Sequence, residues 1–389
     1  MATIAGRVQA RIDRHHVDRV IGEWGGRDFL RGRAAEPGDI VLTGNDYLAL
    51  TGDRRIAEPI TAVLSPDSAA ALPDACEGAL AYRMAEYLRA GAGIVCQSGW
   101  DANLGLLQAI ADPATPVYLD EHGHMSLRQG ARLAGAPIQL FRHNSATDLA
   151  ERIHAHGPGI IAVDAVSSTD GERSPLRELC DVADNTGSLL VVDESHTLGI
   201  DGPRGAGAVV GADLVARVPF RTASLAKAFA GRAGFIAAPH PGFVDYFRGE
   251  SYPAVFSSGL RSPDLAGLAA TLDVVRACDD RRRRLREVAT TVRKALCDKG
   301  FDLGGGDGQI VALQTGPATH GLAVRDVLER HGVLGAMFCA PATPPDRTLI
   351  RFSLHSALTD EQVERIIAAC AEISDVLGPV PPGVPVGGR

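Results

Sequence analysis

Between Ala92 and Pro239 the chain repeats one pattern: a short, nearly continuous apolar run ends in polar or glycine residues and gives way to a helical spacing. "AGIVCQSG" (Ala92–Gly99) leads into "WDANLGLLQAI", "PVYLD" (Pro116–Asp120) into "HMSLRQGARLAG", and "GIIAVDAV" (Gly159–Val166) into "SPLRELCDVADNTG". "SLLVVDES" (Ser188–Ser195) follows, and "GFIAAP" (Gly234–Pro239) closes the series. Strands this apolar are covered on both faces, and intervening helices supply crossovers. The pattern therefore predicts an α/β fold with a mainly parallel sheet.

The rhythm breaks at a long helical stretch from about Leu265 to Lys299. Shorter units follow, among them "QIVALQTG", "VLGAMFC", "TLIRFSL" and "TDEQVERIIAACAEISDVLG", and they read as a smaller α+β domain. The expected organisation is an N-terminal segment 1–45, a large domain 46–275, a small C-terminal domain 276–378 and a Pro/Gly-rich, disordered tail 379–389.

Composition removes several function classes. The net charge is −8, so there is no basic footprint for nucleic acid. The one basic run, "DDRRRRLRE" (Asp279–Glu287), is bracketed by acids and reads as a solvated helix face. The seven cysteines are scattered, with no C-x-x-C, which fits a reducing, cytoplasmic setting better than a disulfide framework or a zinc site. No apolar run approaches the ~20 residues needed to span a membrane, and the first residues lack the apolar core of a signal peptide.

Ligands of open α/β sheets bind outside the carboxyl ends of the strands. Here those ends deliver Asp193 and His196, Ser167 and Ser168, His122 and His124, and the Ser98-Gly99 turn that opens a helix. Lys227 lies among small residues in "TASLAKAFAGRAG" (Thr222–Gly234). Pyridoxal phosphate chemistry uses this whole set: an amine for the cofactor aldehyde, a carboxylate for the ring nitrogen, a helix N-terminus for the phosphate and a ring to cover its face. Plainer readings stand beside it. Asp193 and Ser98 are natural helix caps, and Lys227 fits a surface loop. Asp120, His122, His124, Asp193 and His196 also suit a metal-dependent hydrolase, though that reading leaves Lys227 and the Gly/Ser turn without a role.

Taken in order, "NDYLAL" (Asn45–Leu50), "QSGWDANLGLLQ", "HMSL", "VDAVSSTDG", "VVDESHTLG", "TASLAKAFAGRAG", "FSSGL" and "LIRFSL" resemble the α-oxoamine synthases. These are fold-type I, PLP-dependent enzymes that join an amino acid to an acyl-CoA. "SGWDANLGLLQ", "HGPGII" and "SYPAVFSSGL" bring the resemblance nearest to the CqsA-type quorum-sensing autoinducer synthases, which make aminoketone precursors from S-adenosylmethionine or 2-aminobutyrate. The stretch Ser65–Arg83 departs from the glycine-rich sequence of glycine-using relatives.

The resemblance implies roles. Lys227 is the Schiff-base lysine and the acid/base at the substrate Cα. Asp193 pairs with the pyridinium nitrogen, His196 and Ser168 bond the phenolic oxygen, and His124 stacks on the ring. Ser98, the N–H groups of Gly99 and Trp100, and the Ser224 hydroxyl belong to the phosphate site. Ser257 or Ser258 reaches the phosphate of a neighbouring subunit, so the resemblance implies a homodimer with shared sites. Arg351 clamps the amino-acid carboxylate with Asn45 beside it, and no metal is implied. The expected reaction releases CoA and CO2 and yields an α-aminoketone. The alternatives are 8-amino-7-oxononanoate synthesis or a secondary-metabolism enzyme of the same family.

Overall fold

The computed structural model describes residues 3–64, 73–344 and 347–377. The tail and most of the Ser65–Pro73 part of the departing stretch lie outside the described residues. The chain forms two compact units. One comprises Asn45–Ser168 and Glu172–Arg284; the other comprises Met1–Gly44, Thr169–Gly171 and Leu285–Arg389.

Strand β1 (Ile40–Val41) belongs to the second of these, and the next seven strands build the sheet of the first. These are β2 (Ala92–Cys96), β3 (Val117–Asp120), β4 (Ile138–Phe141), β5 (Ile160–Asp164), β6 (Leu189–Asp193), β7 (Phe220–Ser224) and β8 (Gly234–Ala238). Their order is β2-β8-β7-β6-β5-β3-β4, and only β8 runs against the rest. The α/β expectation of a mainly parallel sheet is met.

Side chains alternate between two cores. Val117, Leu119, Ile160, Ala162 and Val191 pack on one face with Leu106, Leu107 and Leu127. Tyr118, Ile161, Val163, Leu190 and Val192 pack on the other with Leu149, Leu179 and Val209. Both faces are dry, which is why these strands read as unbroken apolar runs.

Two strands escaped that signal. β7 carries Arg221 and Thr222 inside its run, yet both are buried, and Arg221 Nη1 donates to Leu88 O at 2.7 Å. β4 is an edge strand whose residues are only half-buried up to Phe141.

The expected long helix is two, Ser262–Ala277 and Asp279–Asp298, because Cys278 leaves helical geometry at φ −90°, ψ 40°. Asp279 and Asp280 then start the second helix, where acids suit the helix dipole. Its basic run is not simply solvated. Arg282 is 2% exposed and donates to the carbonyls of Val275 and Gly199, and Arg281 donates to Leu48 O and Ala49 O.

The other unit holds an antiparallel sheet of β9 (Ile310–Gly316), β11 (Ala336–Phe338) and β12 (Thr348–Ser353) in the order β11-β12-β9. β1 pairs in parallel with β10 (Val333–Leu334), which ties N-terminal residues into this unit. Among the described residues no helix is long and apolar enough to cross a membrane.

Candidate active site

Register decides what meets at the sheet's carboxyl edge. Asp164 of β5 pairs with Asp193 of β6, and Asp193 pairs with Thr222 of β7. Three buried polar side chains therefore lie abreast on adjacent strands, Asp164 and Asp193 at the strand ends and Thr222 within β7.

Asp193 is 4% exposed. Its Oδ1 accepts from Ser195 N–H at 2.8 Å, and its Oδ2 accepts from Asn103 Nδ2 at 2.6 Å. Asn103 Nδ2 also donates to Ser126 Oγ at 2.9 Å, while the Thr222 hydroxyl donates to Asn103 Oδ1. Ser126 Oγ lies 2.7 Å from Nδ1 of His124. Asp193 and His124 are thus joined through two side chains that the sequence reading did not single out. A signal for Asn103 was available: it is a polar residue on the buried stripe of the helix Gly99–Ile110, beside Ala102, Leu106 and Leu107.

His124 caps the helix Met125–Leu133, and its backbone N–H donates to Asp164 Oδ2 at 2.8 Å. Burial holds its imidazole below the ordinary histidine range; Asp193 pulls it up and Lys227 pushes it down. The ring therefore lies within electrostatic reach of both charges. Trp100 meets it edge-on, with ring centroids 6.0 Å apart. Burial and the neighbouring Asp193 raise the Asp164 carboxyl well above the usual carboxylate range.

Ser98 caps the helix Gly99–Ile110, accepting from Asp101 N–H at 3.1 Å. The first-turn N–H groups of Gly99 and Trp100 have no carbonyl of their own helix to meet, which suits this end to an anion. It is pressed against the end of β7: a Cβ on Gly99 would lie 2.5 Å from Ser224 Cβ, so only glycine fits. Ser224 N–H donates to Ser195 Oγ at 2.7 Å, and Ser224 Oγ accepts from Ala226 N–H. Lys227 is half-buried in the turn after β7; Ala228 is buried and Ala226 exposed.

His196 is 5% exposed, and its Nδ1 is 2.6 Å from the hydroxyl of Tyr47. Tyr47 in turn donates to Asn45 Oδ1 at 3.1 Å, so the motif "NDYLAL" reaches the site through a tyrosine that had been given no role. Ser168 is half-buried in the turn after β5.

Ser257 and Ser258 are exposed. Neither caps the following helix, whose N-cap is Arg261. The Ser257 hydroxyl donates to Pro253 O and accepts from Gln97 Nε2 at 3.1 Å. Arg351 belongs to the other unit, buried on β12 with its guanidinium carbon 4.8 Å from the centroid of the Phe338 ring.

The donor set fits pyridoxal 5′-phosphate. A helix N-terminus and a hydroxyl suit the phosphate, the buried Asp193 carboxylate suits a cationic ring nitrogen, an imidazole suits the ring face, and a lysine suits the aldehyde.

Comparison with known proteins follows the same line. Residues 37–369 match the family model of class I and II aminotransferases. The CAI-1 autoinducer synthase of Vibrio campbellii is 38% identical over 94% of this chain and 94% of its own length. The 8-amino-7-oxononanoate synthase of Geobacter metallireducens is 30% identical over 92% of this chain and 94% of its own. A serine palmitoyltransferase of S. paucimobilis, solved with bound PLP, shares the fold at TM-score 0.85 and 22% identity, over 97% of this chain and 100% of that one.

Proposed function

This chain belongs to the class I and II aminotransferase family and, within it, to the α-oxoamine synthases, and from that premise we propose that it joins an amino acid, or S-adenosylmethionine, to an acyl-CoA. CoA and CO2 leave, and an α-aminoketone, the precursor of an autoinducer-type signal, is released. The observation that carries the reading is the buried Asp193 carboxylate at the carboxyl end of β6, its oxygens held by Ser195 N–H and Asn103 Nδ2 and joined through Asn103 and Ser126 to the half-buried His124 imidazole. Membership of this family leaves the metal-hydrolase reading of Asp193, His196 and His124 without support. The kinship with 8-amino-7-oxononanoate synthases keeps that activity as the second reading.

Pyridoxal 5′-phosphate, when bound, supplies an aldehyde for amines and a ring that takes up the electron pair left at Cα. Lys227 would hold the cofactor through its amine and would act as the acid/base at the substrate Cα. Asp193 keeps a proton on the ring nitrogen. His124 would cover the face of the cofactor ring. His196, steadied by Tyr47, and Ser168 act on the phenolic oxygen. The N–H groups of Gly99 and Trp100, the Ser98 turn and the Ser224 hydroxyl bind the phosphate. Arg351 would clamp the substrate carboxylate in the two-pronged way a guanidinium favours, and Asn45 would also bind substrate. Ser257 or Ser258 reaches the phosphate of a second subunit, which makes the working enzyme a cytoplasmic homodimer with shared sites.

Two measurements test this. Borohydride reduction of the cofactor-loaded protein followed by peptide mapping is expected to label Lys227, and a label on another lysine overturns the assignment. A panel of amino acids and acyl-CoAs with mass-spectrometric detection is expected to show an α-aminoketone from 2-aminobutyrate or S-adenosylmethionine. Turnover of alanine with pimeloyl-CoA alone would favour the second reading.

A further inference from the structure

We infer that Asn103 is a positioning residue that ties the Asp193 carboxylate to the His124 imidazole and sets that imidazole as the Nε2–H tautomer; the inference rests on the site reading given above. The chemistry of the partners fixes the direction of each hydrogen bond. A carboxylate only accepts, so the amide atom facing Asp193 Oδ2 is the nitrogen. The hydroxyl of Thr222 donates to Asn103 Oδ1, which agrees. The second amide hydrogen goes to Ser126 Oγ at 2.9 Å. That hydroxyl has a single proton to give, and Nδ1 of His124 waits 2.7 Å away. Nδ1 is then an acceptor, as it also is towards the Ser126 backbone N–H at 3.4 Å in the helix cap, and the ring carries its proton on Nε2; Asn103 reinforces a tautomer that the cap already favours.

Every linking member is dry: Ser126 is 0% exposed, and Asn103 and Thr222 are each 1% exposed. No water is at hand to repair a broken link, so the arrangement is decided by the side chains themselves. Protonating Nδ1 would set an N–H against a hydroxyl already pointing its own proton there. Ser126, itself fully buried, would have to turn that proton elsewhere without water. The charged groups acting on the ring are Lys227, which also disfavours imidazolium, and Asp193, which favours it. The backbone N–H of His124 is taken by Asp164. A ring held neutral does not repel a cationic cofactor ring lying against it.

Position matters as much as bonding. Asn103 is four residues after Gly99, one turn further along the same helix and on the same face. One rigid element therefore carries both the anion-binding N–H groups and the amide that pins Oδ2 of Asp193, while Ser195 N–H pins Oδ1. The phosphate end and the nitrogen end of the cofactor are set by the same helix.

The test begins with the apoprotein. Histidine 15N NMR is expected to find His124 as the Nε2–H tautomer. Asn103→Ala and Ser126→Ala are each expected to increase the share of the Nδ1–H tautomer and to raise the titration midpoint. Fluorescence titration with PLP is expected to show roughly tenfold weaker binding for Asn103→Ala and a smaller loss for Ser126→Ala. Thr222→Val keeps the volume and loosens only the amide, so it stands in for any variant that fails to fold; the same shift in a smaller amount is expected. An unchanged His124 tautomer and midpoint in the folded variants overturns the inference. A wild-type apoprotein that takes up no PLP would instead sink the functional reading, while the tautomer, measured without PLP, still reports on Asn103.

Discussion

Asp193 and Glu194 are chain neighbours with almost the same burial, 4% and 0% exposed, yet they end in opposite surroundings. Asp193 shares its face of the sheet with Val191 and the helix Gly99–Ile110, where N–H donors occupy both of its oxygens. Glu194 shares its face with Val192 and Val209. There Val209 N–H donates to Oε1 at 2.7 Å, and Oε2 has no hydrogen-bond partner. Burial pushes the Glu194 carboxyl up to about 7, against the pull of Arg221. Burial alone therefore does not make a carboxylate useful. The front carboxylate has N–H donors on both oxygens; the back is a structural carboxyl whose proton is set by dehydration.

The largest expected effect breaks or keeps that contrast directly. Asp193→Asn is expected to cut turnover by about 10²–10⁴-fold while PLP is still bound, because an amide cannot keep the ring nitrogen protonated. Glu194→Gln is expected to leave turnover near the wild-type value. Equal losses in the two variants would erase the distinction between front and back.

The second effect belongs to the back alone. The folded Glu194 carboxyl titrates above its ordinary value of 4.5, so the native state holds a proton that the unfolded chain releases. Stability is then fully present below about pH 4.5 and falls as the pH rises to about 7, by up to roughly 3 kcal/mol from this group. Glu194→Gln is expected to remove that slope from denaturant titrations across the window. A slope that persists unchanged places the titrating group elsewhere.

Gly207→Ala sharpens the same face. Gly207 sits at φ +97°, and a Cβ there would lie 2.5 Å from Glu194 Oε2. A loss of about 2 kcal/mol in stability is expected, with kcat/KM little changed. Turnover falling further than stability would show that the back face reaches the chemistry.

The smallest effect probes the front. Tyr47→Phe removes the hydroxyl next to His196 and Asn45. Turnover is expected to fall about fivefold, the equivalent of about 1 kcal/mol, with a smaller change in melting temperature. Lost stability with intact turnover would move Tyr47 to the structural side of the comparison.

Much of this was legible in the residues because two-sided burial leaves a plain mark. Five of the seven strands of the main sheet stood out as apolar runs, and Asp193 and His196 could be placed at one strand's carboxyl end by counting. Lys227 stood out because small residues surround it. β7 did not stand out, since Arg221 and Thr222 interrupt it with polar groups that are satisfied only by distant parts of the chain. Arg282 was read as surface for the same reason, although its partners are the carbonyls of Val275 and Gly199.

The sequence by itself determined the layered α/β architecture, the strand ends where chemistry gathers, and the Ser98-Gly99 turn that opens a helix. These follow from local rules: period, burial and the space a side chain takes up. Only the tertiary structure decided that Asp164, Asp193 and Thr222 lie abreast, that Asn103 spans Asp193 and Ser126, and that Tyr47 meets His196. Those pairings join residues 23 to 149 positions apart along the chain. Strand register and helix placement set them, and a hydrogen bond between distant residues leaves no periodicity in the sequence from which to read it.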